Sequence, residues 1–333
     1  MILAGDVGGT KTNLALYRAG SPGLSRVRMA TYPSRGYAGL EAILREFLSD
    51  APGIGRACIG VAGPVVGGRC RLTNLAWTVE EEAVRLCTGA REAYLVNDLQ
   101  AMASAVPFLP LETLATIQEG EADPRGNVAV LAAGTGLGEG FLIGMDGGFL
   151  PLASEGGHVD FAPRDDREMR LHAFLRGMYG RVSVERVASG PGMRDIHLFL
   201  REVEGVAEPP EVAAETGGDY PQRAIVRHGL SAASPACAEA LRMFSSIYGA
   251  EAGNLALQYL ASGGVYLGGG IAPAILPALQ KGEFLSAFLD KGRMSELLRH
   301  VPIFVILDPL APLLGAAHYA AGGGVLRPRG QSP

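Results

Sequence analysis

The sequence predicts an α/β protein built from two α/β units. Three observations carry this: short runs in which apolar and polar residues alternate, apolar residues at helical spacing between them, and glycine clusters where the runs end. The chain has 333 residues, enough for two domains at roughly 100–200 residues each. Hydrophobic residues make up 48% and charged residues 19%, a balance that builds a core and excludes intrinsic disorder.

The first unit reads in order from the N-terminus. Ile2 to Gly5 is apolar, Asp6 to Thr10 reads DVGGT, and Thr12 to Arg18 alternates, with Leu14 and Leu16 set against Asn13, Ala15 and Tyr17. That is a strand, a glycine turn and a strand, hence a hairpin. Arg26 to Tyr32 predicts a third strand. Leu40, Ile43, Leu44, Phe47 and Leu48 follow a helical period, so a helix covers Ala38 to Ser49. Ala57 to Ala62 is a strand stopped by Gly63-Pro64, and Glu80 to Cys87 is a helix. Ala93 to Val96 is a strand that runs into Asn97-Asp98 and a further helix.

Pro107 to Pro110 marks a seam, after which the pattern restarts. Val128 to Ala133 is a strand, GTGLGEG a glycine loop, and Phe141 to Met145 a second strand. Helices follow over Asp166 to Tyr179, Gly192 to Glu202 and Pro235 to Ala261. Glu204 to Gly218 is polar and contains proline, which predicts a surface excursion. Gly264 to Leu267 is a strand leading into three glycines, and the chain from about residue 323, Arg327 to Pro333 above all, reads as a loose tail.

Composition narrows the function. Lys plus Arg number 29 against 34 Asp plus Glu, a net charge of −5, which argues against a nucleic-acid binder with a basic face. The apolar runs are short and broken, so no membrane span is expected. The N-terminus shows no secretory signal and opens directly on a strand, which predicts a cytoplasmic protein without a leading helix-turn-helix. Cys58, Cys70, Cys87 and Cys237 lie far apart with no CxxC, fitting neither a zinc signature nor a disulfide framework. They read as buried thiols.

Three glycine segments are candidate phosphate cradles: Gly5 to Thr10, Gly134 to Gly140 and Gly268 to Gly270. Without a Cβ, several backbone N–H groups can converge on phosphate oxygens. The first is not a P-loop, because Thr10 stands where that motif needs glycine and a strand follows instead of a helix. The second is not a dinucleotide fingerprint, because its sixth position is Glu139 and a strand again follows.

These segments, in this order, resemble the phosphate-1, phosphate-2 and adenosine segments of the actin-like ATPase and sugar kinase superfamily. Within it the chain resembles the bacterial glucokinase family of the hexokinase type. The matching pieces are GDVGGT at 5–10, LTNLAW at 72–77, LVNDLQA at 95–101, AAGTGLGEG at 132–140, SEGGHVDF at 154–161, VERVASGPG at 184–192 and GGVYLGGGIAP at 263–273. Together they cover roughly residues 2 to 320.

The resemblance implies two ribonuclease-H-like domains with a central cleft. The smaller domain is expected over 1–108 plus about 308–322, with Ala311 to Ala320 as the helix packing back onto it, and the larger over 109–307. It implies ATP-dependent transfer of the γ-phosphoryl group to the 6-hydroxyl of glucose. Asp98 of the Asn-Asp pair is then the general base, although a residue between strand and helix can equally serve as an N-cap. Asn97, Glu155, His158 and Glu185 are the implied sugar ligands, a set able to pair with hydroxyls as donors and acceptors. Asp6 is the implied Mg²⁺ holder, against the plainer possibility of an Asx turn.

By the same resemblance the nucleotide lies on Gly5, Asp6, Val7, Gly8, Gly9 and Thr10, on Gly134, Thr135, Gly136 and Gly138, and on Gly268, Gly269 and Gly270. Asp160, Asp165 and Asp166 read as surface or capping acids. The repressor–kinase branch of the superfamily carries a cysteine-rich zinc motif near its GH segment. No cysteine lies between Cys87 and Cys237 here, which favours the zinc-free branch. The sequence leaves open another hexose, polyphosphate as donor, a sugar sensor without catalysis, and a sugar-indifferent chaperone or filament protein. It does not set the oligomeric state, for which the often dimeric family points to a homodimer.

Overall fold

The computed structural model describes residues 1–20, 23–51, 53–72 and 74–328. Thr73 of the LTNLAW segment and residues 329–333 of the expected tail lie outside the described residues. The chain divides into two compact units. The first comprises residues 1–113, 140–154 and the described residues from Asp308 onward; the second comprises 114–139 and 155–307.

The chain begins with β1 (Ile2–Val7), β2 (Lys11–Gly20), β3 (Gly23–Pro33), α1 (Leu40–Phe47), β4 (Arg56–Val61), β5 (Arg69–Arg71), β6 (Thr78–Glu80), α2 (Glu81–Thr88), β7 (Glu92–Asn97) and α3 (Asp98–Ala105). The larger sheet runs β3-β2-β1-β4-β7, with β5 and β6 as a separate two-stranded ladder. β1, β4 and β7 are parallel, and the register aligns their carboxyl ends at Val7, Val61 and Asn97.

The alternation along β2 is not that of a half-exposed strand. Leu14 and Leu16 face one core with Leu3, Val7, Ile43 and Phe47, while Ala15 and Tyr17 face a second with Ile2, Ala4, Cys58 and Leu313. Both faces are buried because a C-terminal helix, Ala311–Gly322, packs on β1, β4 and α3. That helix comes so close to α3 that a Cβ on Gly315 would collide with the carbonyl of Ala101.

From residue 114 the elements are β8 (Leu114–Gln118), β9 (Val128–Ala133), β10 (Leu137–Met145), β11 (Gly148–Ala153), α4 (Asp166–Tyr179), α5 (Gly190–Glu202), α6 (Pro210–Thr216), α7 (Pro221–Leu230) and α8 (Pro235–Gln258). Then follow β12 (Gly264–Gly268), α9 (Ile271–Ala274), α10 (Leu276–Leu279), α11 (Glu283–Leu289), α12 (Ser295–Arg299), β13 (Ile303–Ile306) and α13 (Ala311–Gly322). The second sheet has the order β11-β10-β9-β12-β13-β8. Apart from the added edge strand β8, this repeats the order of the first sheet, the ribonuclease-H-like arrangement. The long helix α8 is held to β9 by the buried Tyr248, whose hydroxyl donates to the Leu131 carbonyl at 2.8 Å.

Four expectations need correction. The GTGLGEG segment is not loop throughout: β10 starts at Leu137, so Gly138 and Gly140 are strand residues. The excursion 204–218 contains α6, with Val212 and Thr216 buried, because the helix start at Pro209-Pro210 outweighs the polar composition. Residues 140–154 group with the first unit, not with the larger domain. They sit tightly on α3: a Cβ on Gly140 would lie 2.8 Å from the Leu99 carbonyl oxygen, and Gln100 donates to the Pro151 carbonyl at 3.0 Å. The tail is anchored at Leu326, fully buried and exchanging backbone hydrogen bonds with Phe149 at 2.8 and 2.9 Å. Among the described residues no helix is long and apolar enough to cross a membrane.

Candidate active site

In the first unit the candidate residues gather at the carboxyl edge of the parallel strands, where α/β sheets bind ligands. Gly5 and Val7 lie inside β1, not in the turn, and Val7 is fully buried. Gly5 packs closely against its neighbours: a Cβ there would sit 2.6 Å from Ile59 Cδ1 and would have to displace the end of that side chain. The turn itself is Gly8 to Thr10. Gly8 N–H donates to the Lys11 carbonyl at 3.0 Å, and Ser34 ties the turn down by donating its hydroxyl to the Gly8 carbonyl at 2.8 Å and its N–H to the Thr10 carbonyl at 3.0 Å. Gly9 faces the LTNLAW segment so closely that a Cβ would stand 2.7 Å from Asn74 Cβ.

Asp6 pairs in register with Asn13, whose side-chain amide donates to its carboxylate at 3.2 Å, and the Thr31 hydroxyl in turn donates to Asn13 Oδ1 at 2.9 Å. Burial pushes the Asp6 carboxyl upward from the usual carboxylate range, opposed by the Asn13 hydrogen bond and the charge of Lys11. Asn97 ends β7 and caps α3: its side-chain oxygen accepts from Leu99 N–H at 2.8 Å, and its amide donates to the Gly63 carbonyl at 3.2 Å. Asp98 is the first residue of α3, and its Oδ1 also accepts from Leu99 N–H, at 2.9 Å. Asn97 is therefore the cap, and the Asp98 carboxylate stands at a helix N-terminus, where an anion is favoured.

In the second unit β9 and β12 are parallel neighbours, with Gly268 opposite Ala132, so their glycine loops leave the sheet side by side. Gly269 has φ +77°, and a Cβ there would strike the Ala133 carbonyl. Only glycine meets both conditions. Gly134 donates its N–H to the Gly136 carbonyl at 2.8 Å and accepts from Gly190 N–H at 2.8 Å, which fixes the loop to the start of α5. Thr135 and Gly270 are exposed.

Glu185, distant in sequence, converges here with Glu155 and His158. The Glu185 carboxylate accepts from Leu137 N–H at 3.0 Å, and a Cβ on Gly136 would collide with it. His158 stands 3.9 Å from Glu185 through Nδ1 and 3.9 Å from Glu155 through Nε2. A 3₁₀ turn, Gly156–His158, carries the histidine, and it lies so close to Leu137 that position 157 admits only glycine. Arg181 donates to the His158 carbonyl at 2.8 Å. His158 and Glu155 keep about half or more of their side chains exposed.

Sequence reasoning missed Asn13, Ser34 and Glu139. Asn13 had a signal: it is polar, in a strand, and opposite Asp6. Glu139 is almost fully buried on β10 against Glu251, and one of its oxygens has no hydrogen-bond partner. Burial and the second carboxyl push it up to about 8. Asp165 caps α4 through Glu168 N–H at 2.8 Å, as expected of a capping acid, and Asp160 is an exposed partner of Arg181.

Comparison with known proteins bears on the whole chain. A family model described as Glucokinase matches residues 3–322. A glucokinase of Nostoc punctiforme is 40% identical over 337 residues, covering 96% of this chain and 99% of the relative. Among solved structures, a glucokinase from an Antarctic psychrotroph superposes with a TM-score of 0.84 at 32% identity, covering 96% of this chain and 98% of that one. A ROK family glucokinase from Streptomyces griseus, in complex with glucose and AMPPNP, superposes with a TM-score of 0.66 at 22% identity over 97% of this chain and 99% of that one, a likeness of fold. The chain belongs to the glucokinase family.

Proposed function

We propose that this protein is a glucokinase that transfers the γ-phosphoryl group of ATP to the 6-hydroxyl of glucose, giving glucose 6-phosphate and ADP. The observation that carries this is Glu185. Its carboxylate is anchored on the backbone of the second glycine loop and stands beside His158. One side chain thereby links a polar cluster suited to sugar hydroxyls with a backbone cradle suited to phosphate.

Glu155, His158 and Glu185, together with Asn97, take the sugar. A hexose that lacks one of the paired hydroxyls would strand a polar group, so discrimination among sugars is sharp. Asp98 accepts the proton of the 6-hydroxyl as that oxygen attacks, and phosphoryl transfer otherwise depends on positioning and charge stabilisation. Asn97 helps by fixing the first turn of α3 and hence the Asp98 carboxylate. The backbones of Gly8 to Thr10, Gly134 to Gly136 and Gly268 to Gly270 hold the nucleotide, with Thr10 and Thr135 as exposed hydroxyl donors. Asp6 suits Mg²⁺, because a carboxyl whose burial disfavours its own charge is relieved by a hard cation. When bound with the nucleotide, that ion supplies charge neutralisation at the phosphates.

Turnover with Mg·ATP, followed through glucose-6-phosphate dehydrogenase and separately as ADP release, tests the assignment. ADP release that requires glucose and matches glucose 6-phosphate formed is the expected result. ADP release indifferent to sugar, or a clear preference for another hexose across a sugar panel, would overturn it.

A further inference from the structure

Away from the residues assigned above, the second unit brings together three side chains whose chemistry the reaction does not use. His197 lies on α5, Glu208 in the segment leading to α6, and Cys237 in the first turn of α8. His197 Nε2 stands 2.6 Å from Glu208 Oε1, and Cys237 Sγ stands 3.6 Å from the same oxygen. One donor atom of each falls within 4.8 Å of the other two. All three side chains are at least 96% buried.

We propose that His197, Glu208 and Cys237 form a binding site for one zinc-type divalent cation, which fastens the segment 203–216 to α5 and α8. The donor set is one sulfur, one imidazole nitrogen and one carboxylate oxygen, a mixture that selects zinc over magnesium or calcium. Zinc bonds of about 2.3 Å to sulfur and 2.0–2.2 Å to nitrogen and oxygen set tetrahedral ligand atoms about 3.3–3.6 Å apart. The Cys237–Glu208 pair already has that separation. The His197–Glu208 pair must open by about 0.7 Å to reach it.

A dication, a thiolate, a carboxylate and a neutral imidazole sum to zero, and the partly exposed Arg201 beside Glu208 adds one positive charge at the edge of the site. Zinc takes a neutral imidazole through its free lone pair and a cysteine as thiolate, so binding at this site displaces the Cys237 proton. Outer contacts orient the carboxylate: Arg201 Nε lies 3.1 Å from Glu208 Oε2, and the Thr216 hydroxyl lies 3.3 Å from Oε2 and 3.4 Å from Oε1. The rival account is an ion-pair network in which the thiol donates to the carboxylate and no metal binds.

The sequence shows no zinc signature because the three residues lie 11 and 29 positions apart and on different elements. The test uses the whole chain, stripped with a chelator and then loaded with Zn²⁺ for metal analysis or Co²⁺ for absorption spectroscopy. One Zn²⁺ per chain, one proton released per ion, a thiolate-to-cobalt charge-transfer band and a rise in Tm on adding Zn²⁺ are expected. Cys237→Ser and His197→Asn should each lose the tight ion, whereas Cys87→Ser should keep it. Glucose phosphorylation by Cys237→Ser should stay within about two-fold of the parent. No tight Zn²⁺ on the parent chain, or the same cobalt spectrum in Cys237→Ser, would overturn the proposal without depending on how well either variant folds.

Discussion

At the carboxyl edge of the first sheet the polar groups are held by hydrogen bonds from side chains: Asn97 caps α3, Asn13 supports Asp6, and Ser34 pins the glycine turn. At the corresponding edge of the second sheet a backbone hydrogen bond from Leu137 holds Glu185, and missing side chains let the loops close in around it. Gly136 leaves room for the Glu185 carboxylate, Gly157 lets the His158 turn settle on Leu137, and Gly269 lets the third loop touch Ala133. The two sheets share a strand order, so the contrast lies in the loops. Capping makes a rigid base for one carboxylate, and close backbone approach makes a cradle several residues wide.

Asp98→Asn separates chemistry from structure on the first edge. Asparagine fits the first position of α3, so the fold should hold while kcat drops by roughly 10²–10⁴-fold, the usual worth of a general base. Near-normal turnover would remove Asp98 from the role.

Gly136→Ala tests the second edge without touching a polar group. The new methyl would meet the Glu185 carboxylate, and displacing that group by about 1 Å should cost about 100-fold in kcat/KM for glucose. Activity close to the parent's would mean that Glu185 does not depend on the loop.

The buried Glu139, on the strand that follows this loop, gives the second unit a pH dependence. Its carboxyl titrates near 8 in the folded chain against 4.5 for an ordinary glutamate. Between those values the folded state keeps a proton that the unfolded state has lost, so stability is full below about pH 4.5 and falls as pH rises toward 8. Thermal melts of Glu139→Gln should lose most of this decline, and a parallel decline in both proteins would contradict the assignment.

Asp165→Ala, far from either edge in role, is the smallest expected effect. Loss of the α4 cap should cost about 1 kcal/mol. Melting should drop by roughly 2–4 °C, with kinetics unchanged. A change in glucose KM would show that α4 bears on the sugar cluster.

The sequence made the strands, the long helices and the repeated hairpin readable because each follows a clean period, and α4 matches its expected limits residue for residue. β5 and β6 escaped because three residues are too few for a period. Alternation on β2 was misleading: α13, three hundred residues away in sequence, covers the face expected to be polar. Of the site, motif resemblance supplied the residue identities, while their convergence was invisible to local reading. Nothing near Glu185 in sequence announces that its carboxylate rests on Leu137 N–H. Gly5 and Val7 stand in a motif, yet the structure uses them inside a strand.

Titrating glucose into nucleotide-free Asp98→Asn and Glu185→Gln, with the unaltered chain as reference, separates the two edges most directly. Asp98→Asn should bind glucose within about three-fold of the reference, and Glu185→Gln should lose at least ten-fold, a difference of about 1.4 kcal/mol or more. Full glucose affinity in Glu185→Gln, or loss of it in Asp98→Asn alone, would contradict the division of labour between base and sugar cradle.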